Sequence, residues 1–551
     1  MGTILPGSEI EETQQSLPEP KFSTQAEPFG ADFRRNQSLT KKAPVLLALL
    51  ALAALIVGSR IHTYNEPLER DITTYAVIAH EMLGGKSLYT DLWDHKPPAI
   101  HVTYAAAELI AGYGRNSIFL LSVAAAVLTM VACYFAGSAG GNGPVGGLIA
   151  ATLWTLVSGD LTLEANQPNT EVFINVFLAF AFAAFVRTSR RSLGISGALV
   201  VGFCFVAASL YKQVALMEAA ALAFVYLVWP PAGCRKRAFT EIAAVAGLGA
   251  ISWLAVFGYF QAQHRKTAFI EATITYNQYY AGNIWRNLRC AMSLPPLPPE
   301  AFALLAPLAI LCLTGFFFAI SRRSLRPWIF LAGFALATHV AVLLPGQFFP
   351  HYYQLWLPVL AIGGGWTIAA LRRMLPARSV WLSYIVAGIA VGPLLKLEIA
   401  NYQMPANEWS FRKYGPVFLE SDRLALDLNH LLKPDENFYE WGDETGLYFA
   451  TKRQPPSGIF FADPILAGPL KNELRRRLMA DLEKTRPAVL IVEYETLKRT
   501  RPSDPILSWV RQNYRGLSRT SRFLVLALKG SRLQREHEGK RAAAPPESAN
   551  S

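Results

Sequence analysis

Charge is scarce in this chain. Of 551 residues only 17% are Asp, Glu, Lys or Arg, whereas 52% are hydrophobic and the mean hydropathy is +0.24. That balance excludes an ordinary soluble globular protein. Cysteine is scarce as well. Of the five, Cys133, Cys204 and Cys312 fall in apolar runs, Cys234 lies in a basic loop, and Cys290 alone is placed to face outward, so there is no disulfide framework. Neither an internal repeat nor a low-complexity array is present. A His-Glu-x-x-His arrangement is missing too, which leaves a zinc protease without support.

What fills the chain instead is a series of apolar runs of near-bilayer length, recurring from Pro44 to Leu397. The net charge of +12 does not point to nucleic acid, because the arginines sit in tight clusters between those runs: Arg187/Arg190/Arg191, Arg235/Lys236/Arg237, Arg322/Arg323/Arg326 and Arg372/Arg373/Arg378. Such clusters mark cytoplasmic loops. Arg34, Arg35, Lys41 and Lys42 before the first run favour an inside amino terminus, and that run lies too deep for a cleaved signal peptide. The segment from Pro97 to Tyr113 decides the rest. Counted as a span, it would put every later cluster outside. As a helix lying within an outer loop it puts all four inside, and its Pro-Pro start, His101, Tyr104 and Glu108 suit that place better.

Residues 61–116 therefore read as one long outer loop, followed by spans near 117–137, 144–158, 170–187, 193–210, 213–230, 240–260, 302–320, 328–344, 352–371 and 380–397. With the first, that makes about eleven spans and an outside carboxyl terminus. Residues 1–43 read as a disordered cytoplasmic tail, 44–397 as the membrane domain, 398–535 as a small outer α/β domain, and 536–551 as a second disordered tail. Within the outer domain, β-like runs fall at Phe438–Trp441, Leu447–Ala450, Ala488–Glu493 and Phe523–Leu528, with a helix at Leu470–Leu482.

The outer loops hold the candidate chemistry. After Arg70-Asp71, the residues Tyr75, Ile78, Ala79, Met82 and Leu83 form one apolar stripe of a short helix that Gly84-Gly85 would stop; such a helix lies in the membrane interface. Asp71 at its start reads as an N-cap or as a general base, two compatible roles. Next comes Tyr89-Thr-Asp91-Leu-Trp93-Asp94-His95-Lys96-Pro97-Pro98. Lys96, fixed before two prolines, suits a phosphate, or else snorkels to lipid headgroups. Asp91, Asp94 and His95 could ligate a divalent cation, yet the ligand set is incomplete, so no cofactor is certain. Glu171 comes after Asn169 and Thr170, either of which could cap the next span; it reads as a helix-dipole partner or as an ionisable group lining a site. Lys212 at the outer surface runs against the positive-inside bias, which favours an anionic partner. Gln347-Phe-Phe-Pro350-His351-Tyr352-Tyr353 is an aromatic outer turn bearing one histidine.

Together these residues resemble the first outer loop of GT-C membrane glycosyltransferases, among them the protein O-mannosyltransferases (glycosyltransferase family 39) and the lipid A aminoarabinose transferases. Arg70-Asp71, Asp91 to Pro98, Asn169-Thr-Glu171, Tyr211-Lys212-Gln213 and Pro350-His351-Tyr352 fall in the order such proteins show, and the resemblance covers roughly 44–400. It implies a polytopic α-helical GT-C fold with membrane-parallel helices in the first loop. It also implies transfer of a sugar from a polyprenyl-phosphate donor to a lipid, glycan or protein acceptor on the outer face of the cytoplasmic membrane. By resemblance Asp71 matches the acidic first-loop residue that acts as base or binds the acceptor, and Lys96 matches the lysine that contacts the carrier phosphate. Where many relatives have Asp-Glu this chain has Asp71-Ile72, so Glu171 is the candidate second carboxylate. Asp94, His95, Lys212, His351 and Tyr352 complete the expected site as substrate contacts. A transporter or flippase of an amphiphilic anion is the rival reading; it would need ionisable groups at mid-membrane and inverted repeats.

Overall fold

The computed structural model describes residues 39–141, 143–188, 192–231, 234–290, 299–321 and 325–543. Arg190, Arg191, Arg322 and Arg323 of the expected inner clusters lie outside the described residues, as do 1–38 of the expected first tail and 544–551 of the second.

The order of elements tracks the apolar runs. Helices α1 (Leu39–His62), α2 (Arg70–Leu83), α3 (Ala99–Ala111), α4 (Arg115–Gly140), α5 (Pro144–Val157), α6 (Thr170–Arg187) and α7 (Gly194–Tyr211) come first. A 3₁₀ turn, Gln213–Ala215, leads into α8 (Leu216–Val228) and then α9 (Arg235–Ala262). Short helices α10 (Lys266–Ile270), α11 (Asn277–Ala281) and α12 (Ile284–Cys290) flank a π turn at Glu271–Tyr276. Beyond them lie α13 (Pro299–Ser321), α14 (Arg326–Leu343), a 3₁₀ turn Pro350–Leu355, α15 (Trp356–Met374) and α16 (Trp381–Asn401).

Among the described residues nine helices are long and apolar enough to cross a membrane. The other two expected spans, near 144–158 and 213–230, carry the shorter apolar helices Pro144–Val157 and Gln213–Val228. The chain is built as a multi-pass membrane protein. Helix α3 has 13 residues and so reaches about 20 Å, short of the roughly 30 Å hydrocarbon core, and it belongs with those two shorter apolar helices. The membrane helices meet through small residues. Gly137 on α4 and Gly147 on α5 sit where a Cβ would strike the facing helix, the close approach that packing in lipid exploits.

The carboxyl-terminal domain starts with α17 (Ala406–Tyr414) and α18 (Val417–Leu431) and holds one four-stranded sheet of order β1-β2-β4-β3. Its strands are β1 (Phe438–Trp441), β2 (Val489–Glu493), β3 (Tyr514–Arg519) and β4 (Phe523–Leu528). β1 and β2 run parallel; β4 is antiparallel to both β2 and β3. Between β1 and β2 the chain forms α19 (Gly446–Thr451), α20 (Asp463–Leu466) and α21 (Lys471–Thr485), and α22 (Tyr494–Arg499) and α23 (Pro505–Asn513) precede β3.

Three expectations need correction here. Leu447–Ala450 is helical, part of α19, because four apolar residues carry too short a period to separate helix from strand. β3 was not expected: it is a mostly exposed edge strand with a bulge at Gly516/Ser518, so it lacks the apolar alternation that reveals strands. The second tail does not begin at 536, since α24 runs Arg532–Ala543.

Candidate active site

The cap of the first-loop helix is Glu69, not Asp71. Glu69 caps α2, its carboxylate accepting from the Asp71 N–H at 2.8 Å. Asp71 is a first-turn residue, so the N-cap expectation is wrong; glutamate ranks low as a cap, and the local signal pointed to the aspartate two residues on. Nor does α2 present one apolar stripe to a membrane surface. Ile72 to Ala79 are all buried and Leu83 is exposed, because α2 is enclosed by α3 on one side and by α19 of the carboxyl-terminal domain on another. This leaves Asp71 part-exposed, with the Tyr75 hydroxyl 3.5 Å from its Oδ2 and 3.3 Å from Asn169 Oδ1. Burial, then the charges of Asp71 and Asp94, push the Tyr75 phenol well above its ordinary range, so it stays a neutral donor.

The next turn is held at an unusual backbone geometry. Tyr89 has φ +72°, rare for a non-glycine residue, and its hydroxyl donates to the Lys96 carbonyl at 2.9 Å. Asp94 organises the far side of this turn. Its Oδ1 accepts from the His95 N–H at 2.6 Å and the Lys96 N–H at 3.4 Å, and its Oδ2 lies 3.1 Å from His101 Nε2. Burial would raise this carboxyl, but the His101 contact and the charge of Lys96 hold it below the usual carboxylate range. Asp94 therefore braces the turn through these contacts.

Lys96 is buried, and its ammonium lies 3.1 Å from His95 Nε2. Burial and the neighbouring Lys96 push His95 down to about 3, so the imidazole is neutral and accepts from the ammonium. For Lys96 itself burial works against the charge, but Asp71, Asp94, Tyr280 and Glu171 outweigh it and raise the group above the usual lysine value. A buried ammonium that keeps its charge, with a neutral imidazole as its hydrogen-bonded neighbour, is built to meet an anion.

Lys212 stands at the break between α7 and the 3₁₀ turn. Its ammonium is 2.7 Å from Glu171 Oε1 and 3.5 Å from the centroid of the Tyr352 ring. Asn169 caps α6, as expected of it or Thr170, and the Thr170 hydroxyl donates to Glu171 at 2.8 Å. Glu171 is thus a buried counter-ion of Lys212. Asn277 donates to the His95 carbonyl at 2.8 Å.

A cavity of about 300 Å³ opens among these groups, lined by His95, Lys96, Lys212, Tyr280 and Tyr352 together with apolar residues such as Ile274 and Leu344. His351 does not line it. Its Nδ1 is 3.0 Å from Glu164 Oε2, and its ring stands edge-on to Tyr352. Glu164, at φ +56°, and Glu69 were not singled out by the sequence, since neither sits in a recognisable local pattern. Tyr280 was visible only as one of several interface aromatics.

No family model matches the chain, and no curated protein matches it. Solved structures do. ArnT from Cupriavidus metallidurans bound to undecaprenyl phosphate superposes with a TM-score of 0.58 at 14% identity, covering 89% of this chain and 99% of that one. The archaeal oligosaccharyltransferase AglB from Archaeoglobus fulgidus, in complex with an inhibitory peptide and a dolichol-phosphate, gives 0.52 at 14% identity over 89% of this chain and 75% of that one. Both are GT-C proteins.

The chain shares the fold of these two structures. The Lys96 cavity lies where the first loop, the α7–α8 break and the turn before α15 meet. Among the described residues, no group of three or more His, Cys, Asp or Glu side chains could hold a metal ion; Asp91, Asp94 and His95 do not form one.

Proposed function

We propose that this protein transfers a sugar from a polyprenyl-phosphate donor to a nucleophilic acceptor on the outer face of the cytoplasmic membrane, inverting the anomeric centre. The observation that carries the reading is Lys96: a charged, buried ammonium facing a cavity with apolar walls, a match for a phosphate on an isoprenoid chain. The superposable structures, one holding a dolichol-phosphate and one undecaprenyl phosphate, support the same class of donor.

The acceptor hydroxyl or amine attacks the anomeric carbon as the bond from that carbon to the phosphate oxygen breaks. Asp71 takes the acceptor's proton. The electron pair stays on the carrier phosphate, where Lys96 stabilises the charge and Lys212, held by Glu171 and Tyr352, adds to the field. A phosphate leaving group needs little acid assistance, so one carboxylate base suffices. Asp94 and His95 keep Lys96 in place.

The test is to incubate the purified protein with defined polyprenyl-phosphate sugars and follow release of free carrier. Asp71→Asn is expected to slow release by roughly 10²-fold or more. Parental rates in Asp71→Asn and Lys96→Ala would sink the assignment. The transport reading keeps one observation of its own: Glu218, buried in α8, with neither carboxylate oxygen hydrogen-bonded. A protein that moves donors across vesicles without ever releasing carrier would revive it.

A further inference from the structure

The carboxyl-terminal domain touches the first loop at both ends of the site. At one end Arg70, the residue next to Asp71, enters a socket of carboxylates in that domain. Its guanidinium is 2.9 Å from Glu444 Oε1 and 3.7 Å from Asp443 Oδ2. Glu444 is fully buried; its other oxygen accepts from Ser421, and its N–H donates to Glu440. One residue further, the Thr445 hydroxyl meets that of Thr74 on α2 at 2.7 Å. At the other end, three residues before Lys96, the Trp93 N–H donates to the Gly458 carbonyl at 2.9 Å, and Leu92 pairs with Gly458 as an isolated bridge. A Cβ at Gly458 would run into the Asp91 carbonyl.

We propose that this domain is a clamp that sets the separation of the two reacting positions of the loop, Asp71 for the acceptor proton and Lys96 for the carrier phosphate. The socket residues Asp443 and Glu444 position the first turn of α2, and Gly458 positions the turn that presents Lys96. Two rigid grips on one loop hold a base and a phosphate contact at a fixed distance, and displacements of an ångström between such groups are felt in the rate. This rests on the transfer reaction proposed above, and the two can fail separately.

The experiment uses the full chain in lipid nanodiscs, with Glu444→Gln at one grip and Gly458→Ala at the other. Three quantities are read: amide exchange over 70–76 and 87–96, binding of sugar-free polyprenyl phosphate, and kcat and donor KM for transfer. Glu444→Gln is expected to speed exchange in 70–76 and lower kcat by roughly tenfold to a hundredfold, with carrier-phosphate affinity unchanged. Glu444→Asp should recover part of that rate. Gly458→Ala should speed exchange in 87–96 and weaken carrier-phosphate binding about tenfold. The clamp is refuted if Glu444→Gln leaves exchange and rate untouched, or if it weakens carrier binding as much as it slows transfer, since the socket would then only support the loop as a whole. Should Gly458→Ala not fold, Glu444→Gln decides alone. A parent protein that transfers nothing overturns the proposed reaction, while the exchange data still decide whether the socket holds α2.

Discussion

Two buried charge clusters flank the first loop, and they are balanced in opposite ways. In the socket of the carboxyl-terminal domain, Arg70 and Arg522 meet Asp443, Glu444 and Glu493, with Glu440 beside them. There each cation has a carboxylate, and the carboxylates outnumber them. In the cavity of the membrane domain, Lys212 is matched by Glu171, but Lys96 rests against a neutral imidazole. Cations that each meet a carboxylate fix structure; a cation left with a neutral neighbour is available to a ligand. Burial alone does not tell the two apart, and neither does charge count.

The comparison can be broken most sharply at Lys96. Replacing it with Ala should cost roughly 10²–10³-fold in transfer, the usual loss for a donor aimed at developing negative charge, and should abolish binding of sugar-free polyprenyl phosphate by titration. Retained binding would mean that Lys96 is as closed as the socket. Glu171→Gln comes next. It frees Lys212, so carrier-phosphate affinity should tighten by about tenfold in the same titration; weaker binding would show that Glu171 is needed to place Lys212.

On the socket side the effects fall on stability. Arg70→Met leaves Glu444 buried without its cation and should cost about 1–3 kcal/mol, read as a lower unfolding midpoint. The smallest effect concerns pH. Burial, then the charges of Glu493, Glu444 and Asp443, raise Glu440 well above 4.5. An acid with a raised folded value contributes stability below its unfolded value and loses that contribution as pH rises through the folded one. Thermal midpoints of the parent should therefore fall as pH is raised above about 4.5, and Glu440→Gln should flatten that slope. An unchanged slope would place the charge imbalance elsewhere.

Much of this architecture was legible without coordinates, and particular residues show why. β1 and β4 begin and end where the β-like runs Phe438–Trp441 and Phe523–Leu528 do, since alternating or continuous apolar residues are local signals. The helix after Pro97 is too short to be one of the nine long apolar helices among the described residues, in keeping with its Pro-Pro start and its His101, Tyr104 and Glu108. Asn169 could be named as a cap because asparagine ranks high there. Glu69 could not, for the converse reason. The pairing of Lys212 with Glu171 spans 41 residues and that of Arg70 with Glu444 spans 374; no window of sequence holds either.

The amino-acid order by itself determined the class of molecule: apolar runs of bilayer length, basic turns between them, and a polar first loop ending at Lys96-Pro97-Pro98, all consequences of what each short segment can bury. Which ionisable groups are spent on one another and which stay open was decided only by tertiary structure. Whether a buried charge is satisfied depends on neighbours brought in from anywhere in the chain, and it is this that made Glu171 a counter-ion, Asp94 a brace and Arg70 a bolt, and left Lys96 facing a cavity.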